Sequence, residues 1–525
     1  MAFILVSAAL GLAVLYLYHV NEAMKVVPEE ARKFSPHRWT VDEVKEAYRK
    51  NEESPVDVNK SIPPKQSRRY VVVGGSGAFF QSPCNLECKT AEAKLEATKR
   101  KNHRANTQMI TGLVGGWIVS HLLARGEDPT AVRVLDLLTP TQDVLGRGVG
   151  YVKTDITDEL AVTTAFDQPW SMAVAKLPLT VFHTAAIIRP AERLKTFLPL
   201  CSKVNVEGTR NILNAAKSAG ASCLVSTSSG SITLHRPNFW LAPWAKVPQR
   251  VVQILSDDAQ VPQSHHEFFA NYAVTKIEAE RIIREADDPS SNFRTGCIRP
   301  ANGIYGIGSD ASMSITGVYL RNGSNPTHKS WTRPIIQSFV NAENVSIAHL
   351  LYEQRLLEQG QPHSSLPNIG GQSFVVTDPN PAIAFADIYT LLVTLSKTPV
   401  AFPDVPPIPL FLLSYLVEAY VLIQYKYLPW LLPKLGSNLS QIQPSLFAIA
   451  DVHCIAEDSR ARKAPEHGGL GYNPPLTTLE GMCKQLLDWN AKAEVEKVSV
   501  DEKPWPISVT ENGLDVSVIA PEKKI

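Results

Sequence analysis

The sequence has little of what would mark a nucleic-acid-binding, disulfide-stapled or metal-held protein. Its 52 Lys and Arg balance 51 Asp and Glu to a net charge of +1, so neither a basic footprint for nucleic acid nor an acidic partner is implied. Seven cysteines, Cys84, Cys88, Cys201, Cys223, Cys297, Cys454 and Cys483, are odd in number and contain no CxxC spacing. That excludes a disulfide framework and indicates a reducing compartment. Cys84 and Cys88 form a CxxxC with no second half, short of the four ligands of a structural zinc, and no metal site is expected. Internal repeats are absent, and no Lys or Arg precedes the first apolar run.

What is present begins with that run. Ala2 to Tyr18, "AFILVSAALGLAVLYLY", carries no charge and is close to the minimum of about 17 residues that cross a bilayer as a helix. The missing basic n-region argues against a cleaved signal peptide. The first basic residues, Lys25, Arg32 and Lys33, follow the run, so the positive-inside rule places the remaining chain in the cytosol. A second run, Pro406 to Pro433, is interrupted by Glu418 and Lys426 and reads equally as a membrane-interface segment or a buried core helix. Three sequons, at Asn322, Asn344 and Asn438, would go unused in a cytosolic chain.

With 525 residues and 44% hydrophobic content, the chain can bury a large core. The expected organisation is an anchor over 1–19 and a linker over 20–69 with one short helix near Val41 to Asn51. A dinucleotide-binding domain over 70–310 and a substrate-binding region over 311–490 follow, the latter with its membrane-associated segment at 406–433. A flexible tail occupies 491–525. Strands are predicted at Tyr70–Val73, Val132–Leu135, Val149–Thr154, Val181–Thr184 and Cys223–Ser226, and helices at Gly115–Ala124, Glu159–Phe166 and Val206–Ala219. This alternation predicts an α/β fold with a doubly wound, parallel Rossmann-type sheet.

The stretch "YVVVGGSGAFFQSPCN" from Tyr70 starts as a strand and glycine turn and then loses the pattern. Further on, "LVGGWIVSHLL" from Leu113 supplies an amphipathic helix and the missing glycine. With 78–112 set aside, Gly74, Gly77 and Gly115 form a complete GxxGxxG turn able to receive a pyrophosphate. The strand ending "VRVLD" then places Asp136 about 20 residues beyond the last glycine, where a carboxylate accepts from an adenosine ribose. An acid there repels a 2′-phosphate, favouring NAD over NADP. The segment 78–112 is polar and lysine-rich, and a loop of that size costs little closure entropy. Its place inside the turn is the difficulty, because a helix N-terminus must reach the pyrophosphate. Two readings are open: an intron translated in frame, which the unpatterned composition favours, or a genuine insertion looped into solvent.

Past the glycine turn, "STSSG" offers hydroxyls at Thr227, Ser228 and Ser229, and "NYAVTK" holds Tyr272 and Lys276, whose spacing puts both on one helix face. Hydride transfer between a secondary alcohol and nicotinamide needs such a trio. Tyrosine exchanges the hydroxyl proton, an ammonium lowers its pKa and holds the nicotinamide ribose, and a serine orients the oxygen.

On "VVVGGSG…LVGGWIVSHLL", "VRVLD", "KTDITD", "VFHTAA", "KVNVEGTRNIL", "STSSG", "YAVTK" and "IRPANGIYGIGS", the chain resembles the extended short-chain dehydrogenase/reductases. Within them it is similar to the 3β-hydroxysteroid dehydrogenase group that includes sterol-4α-carboxylate 3-dehydrogenases. The resemblance spans about Tyr70 to Trp489. It implies Ser229, Tyr272 and Lys276 as catalytic residues, with Ser228 a neighbour that the alignment alone does not set aside. It also implies Asp155 and Ile156 beside the adenine, Thr184, Ala185 and Ala186 along the cofactor cleft, Asn205 near the active site and Pro300 near the nicotinamide, with Tyr272 and Lys276 touching the cofactor too. The implied activity is NAD-dependent oxidation of a 3β-hydroxyl on a sterol or steroid-like molecule drawn from membrane lipid, with loss of a C4 carboxylate where one is present. An endoplasmic reticulum location in sterol biosynthesis, and a homodimer or a sterol-demethylation complex as assembly, follow from the same resemblance. Two other readings stand beside it: an NAD(P)-dependent ketone or alcohol oxidoreductase of terpenoid or polyketide metabolism, and a non-catalytic nucleotide-binding membrane protein.

Overall fold

The computed structural model describes residues 1–75, 112–308, 319, 327–361, 363–379 and 381–501. Gly77, residues 78–111 with Cys84 and Cys88, and residues 502–525 lie outside the described residues.

Seven parallel strands make the central sheet: β1 (Arg69–Val73), β2 (Val132–Asp136), β3 (Gly150–Lys153), β4 (Leu179–His183), β5 (Ala221–Thr227), β6 (Arg294–Pro300) and β7 (Gln372–Val376). Their spatial order is β7-β6-β5-β4-β1-β2-β3. The strand β1 explains the layering. Tyr70 and Val72 join one apolar cluster with Ile118 and Leu122 of the helix Leu113–Ala124, while Val71 and Val73 join another with Ile212 and Leu213 of the helix Gly208–Ser218. A strand covered on both faces needs an unbroken apolar run rather than alternation, and "YVVV" provides one.

The helices that matter for the site are α1 (Ala2–Met24), α2 (Val41–Glu53), α3 (Leu113–Ala124), α4 (Glu159–Asp167), α5 (Gly208–Ser218), α6 (Asn271–Glu285), α7 (Ala342–Gln359), α8 (Pro407–Lys426), α9 (Pro444–Ala450) and α10 (Thr478–Asp501). Every predicted strand and helix is present with ends within about two residues of expectation, the ordinary scatter of such boundaries.

Four expectations of organisation need correction. The boundary at 310 does not separate two bodies: β7 lies beyond it yet pairs with β6 from Gln372↔Gly296 to Val376↔Pro300, and α7 packs against α3 and the sheet. A second, four-stranded sheet likewise joins Val252–Leu255 to His453–Ala456, with Ile336–Gln337 and Ile383–Ala384 beside them. The segment 20–69 is no loose linker, because a Thr40–Glu43 capping box starts α2, Val44 is buried with Phe385 and Leu486, and Arg38 pairs with Asp387. Helix α1 runs past residue 19 to Met24, and α10 runs past 490 to Asp501.

Helices α1 and α8 are long and apolar enough to cross a membrane. On α8 the interrupting Glu418 turns inward and pairs with Arg193 through two contacts of 2.8 Å. One face of α8 is core, with Phe411 and Val417 buried, and the other exposes Leu412, Leu413, Leu416 and Ile423. The sequon residue Asn344 is buried on α7 and donates to Asp378 at 2.7 Å and to the Leu476 carbonyl at 2.8 Å, so no glycan can reach it.

Candidate active site

The cofactor end of the site is built by close approach of β1, β4 and α3. Gly74 has φ +84°, and a Cβ there would stand 2.8 Å from the Ala185 nitrogen. A Cβ on Gly115 would overlap the Gly74 carbonyl oxygen and come within 2.7 Å of the Thr184 hydroxyl. Thr184 secures this junction by donating to the carbonyls of Val73 at 2.9 Å and Gly74 at 3.2 Å, so its side chain clamps the turn instead of lining open space. Gly112, with φ +108°, caps α3. The helix following β1 therefore begins within two residues of where the shortened reading of the sequence places it, its first turn packed through Gly115 on Gly74 and Thr184.

Gly74, Asp136, Asp155, Ile156, Ala185 and Ala186 together line a small cleft of about 40 Å³ at the ends of β1, β2 and β4. Asp136 is buried and accepts from the Leu138 amide at 3.1 Å. Asp155 spends its side chain on a turn, accepting from the Thr157 amide at 2.9 Å and hydroxyl at 2.8 Å. The cleft lies at the point where strand order reverses between β1 and β4, where open α/β sheets bind ligands. Glycines that tolerate no Cβ, a helix N-terminus and an acid at the end of β2 fit a dinucleotide without a 2′-phosphate.

The second cavity, of about 340 Å³, adjoins the strand ends and is mainly apolar. Ser228, Ser229, Tyr272 and Pro300 line it with Leu113, Val114, Phe269, Leu446 and Ile449. The three hydroxyls at the end of β5 part company here. Thr227 bonds His349 at 2.7 Å, and Ser228 donates to Glu280 at 2.5 Å. Ser229 stands on the cavity wall with Tyr272, and its hydroxyl meets that of Ser231 at 2.8 Å. Burial pushes Tyr272 up to about 12, against the opposing pull of the nearby Ser229 hydroxyl. Lys276, one turn further along α6, donates to the Thr227 carbonyl at 2.6 Å, and burial lowers it to about 8.

Asn205 sits in a π turn, Lys203–Glu207, at the start of α5, a local irregularity often found at functional sites. Its side chain accepts from the Ile187 amide at 2.8 Å and donates to the Ile187 carbonyl at 3.1 Å and the Thr275 hydroxyl at 3.0 Å. Thr275 in turn donates to the Tyr272 carbonyl at 3.0 Å. Asn205 thus ties the loop after β4 to the turn of α6 that carries Tyr272 and Lys276.

Sequence reasoning missed Glu280, four residues beyond Lys276 on the same helix face. Its burial opposes charge, but Arg299 holds its pKa below the ordinary carboxylate value through contacts of 2.6 and 2.9 Å. The signal was available: a carboxylate extending the Tyr-Lys spacing by one more turn, and an arginine directly before Pro300.

The model of the 3-beta hydroxysteroid dehydrogenase/isomerase family matches residues 110–399. A sterol-4-alpha-carboxylate 3-dehydrogenase, decarboxylating, from Candida albicans is 26% identical over 355 residues, covering 65% of this chain and 83% of the relative. Its counterpart from Homo sapiens is 25% identical over 376 residues, covering 71% and 84%. A 3beta-hydroxysteroid dehydrogenase/Delta(5)-Delta(4) isomerase from Caenorhabditis elegans is 23% identical over 430 residues, covering 80% and 79%.

Proposed function

The chain belongs to the 3-beta hydroxysteroid dehydrogenase/isomerase family and is an NAD-dependent oxidoreductase, and on that premise we propose that it oxidises the 3β-hydroxyl of a sterol. The observation that carries this reading is that Ser229 and Tyr272 stand on the wall of one apolar cavity, with Lys276 one turn beyond Tyr272 on α6. Bound NAD would supply the hydride acceptor. Tyr272 takes the hydroxyl proton, Lys276 as ammonium favours the phenolate, and Ser229 holds the substrate oxygen. The overall change is alcohol plus NAD⁺ to ketone, NADH and a proton. A substrate with a 4α-carboxylate gives a β-keto acid, which loses CO₂ without further help from the protein.

The rest of the reading follows from the apolar helices. The helix α1 anchors the chain in the endoplasmic reticulum membrane, the catalytic domain stays cytosolic, and the exposed side of α8 rests on the bilayer that holds the sterol. Wild-type protein and Tyr272→Phe, assayed for NADH formation with a 3β-hydroxysterol in detergent micelles, test the function. Turnover by the wild type alone supports it. Equal rates remove Tyr272 from the chemistry, and silence in both redirects the search to another alcohol.

A further inference from the structure

An exposed tryptophan loop lies where α1 leaves the protein. Within "PNFWLAPWAKVP", Pro237 to Pro248, Tyr16 of α1 donates to the Leu241 carbonyl at 3.0 Å and stacks on Trp240 with centroids 6.4 Å apart. Trp240 packs on Phe411 of α8 and donates to Tyr415 at 3.3 Å. Trp244 is 84% exposed, flanked by exposed Pro243 and Lys246. Nothing in the catalytic reading uses these residues.

Helix length fixes where the membrane must lie. Ala2 to Leu15 extend only about 21 Å along a helix axis, well short of a hydrocarbon core of about 30 Å. Burying the whole apolar run therefore brings the bilayer surface down to Tyr16–Tyr18, the level of the tryptophan loop. Tryptophan rings are enriched at that headgroup depth because they offer an apolar body and a polar N–H, and a neighbouring lysine suits lipid phosphates.

We propose that the 237–248 loop is a second membrane contact, with Trp244 inserted at the headgroup level beside α1 and Lys246 meeting phosphate. The proposal rests on α1 being a membrane anchor. It fixes the orientation of the catalytic domain, because Phe411, under Trp240, packs on Phe447 of α9, and α9 supplies Leu446 and Ile449 to the wall of the substrate cavity.

The test reconstitutes the full chain in phosphatidylcholine vesicles brominated either near the headgroup end or near the tip of the acyl chains, with alkaline carbonate extraction in parallel. Nine tryptophans emit, so Trp244 is read as the difference between wild type and Trp244→Phe. The expected difference emission is blue-shifted and quenched about twofold by headgroup-proximal bromine, and little by chain-tip bromine. Red-shifted emission untouched by either lipid, in protein that resists carbonate, overturns the loop contact and leaves the anchor standing. Release by carbonate overturns both.

Discussion

Ser228 donates to Glu280 at 2.5 Å, whereas the neighbouring Ser229, on the cavity wall with Tyr272, shares its hydroxyl with Ser231 at 2.8 Å. The pair of serines can therefore be separated by substitution. Ser229→Ala is expected to lower kcat about 100-fold, the lower end of what a positioned acid–base partner contributes. Ser228→Ala should keep kcat within a few-fold and instead lower stability by about 1–2 kcal/mol, the range for removing one partner of a hydrogen bond to a buried charged group. Steady-state kinetics and thermal denaturation of both variants check this, and equal losses of kcat would overturn the division of roles.

Lys276 carries a predictable stability cost. Burial depresses its pKa from 10.5 to about 8, so the unfolded chain binds the proton more tightly than the folded one. The cost is fully present below pH 8 and fades as the pH rises through 8 to 10.5, so stability rises with pH across that window. Lys276→Met removes the buried charge and is expected to stabilise the cofactor-free protein at pH 7 by on the order of 2 kcal/mol, after allowing for the lost bond to Thr227. It should also abolish turnover and flatten the rise of stability between pH 8 and 10.5. Denaturant titrations at pH 7 and pH 10 measure both effects.

The sheet was legible in the sequence wherever a strand had to be apolar throughout and a helix followed it closely. "YVVV", "VRVLD" and "VFH" announce themselves because both faces of the sheet are covered. The strands β6 and β7 and the four-stranded sheet were not legible. Their partners lie about 45 to 200 residues away in the chain, so pairing rather than local pattern decides them. The site followed the same division. Tyr272 and Lys276 declare their relation through spacing on one helix, whereas the partners His349 of Thr227 and Glu280 of Ser228, and the cavity wall that Ser229 shares with Tyr272, are brought together only by the fold.

Asp136 gives a cofactor test. Its carboxylate, buried at the end of β2, faces the cleft with Asp155 and Ile156, and a 2′-phosphate there would meet a like charge. Asp136→Ser is expected to weaken NAD binding about tenfold, through loss of a charged hydrogen-bond acceptor, and to improve NADP binding by a similar factor. Titrations of both nucleotides followed by intrinsic fluorescence supply the ratio. An unchanged NAD/NADP preference would remove Asp136 from ribose recognition.

The glycine turn gives the last test. Gly115 leaves no room for a side chain against Gly74 and Thr184, and Gly112 occupies a left-handed conformation at the start of α3. Deleting 78–112 would join Gly77 directly to Leu113, so a glycine would still stand at that left-handed position and the strand-to-helix connection would regain the length of a compact pyrophosphate turn. The shortened chain is therefore expected to fold, to melt no lower than the full chain, and to bind NAD at least as tightly. Adding Gly115→Ala to it should cost about 2 kcal/mol of stability, from forced backbone displacement, and tenfold or more in NAD affinity. If the shortened chain fails to fold while the full chain binds NAD, segment 78–112 is an integral part of the turn and the intron reading is lost. If it binds more tightly than the full chain, the segment obstructs the nucleotide, and a transcript lacking those codons is the form to seek.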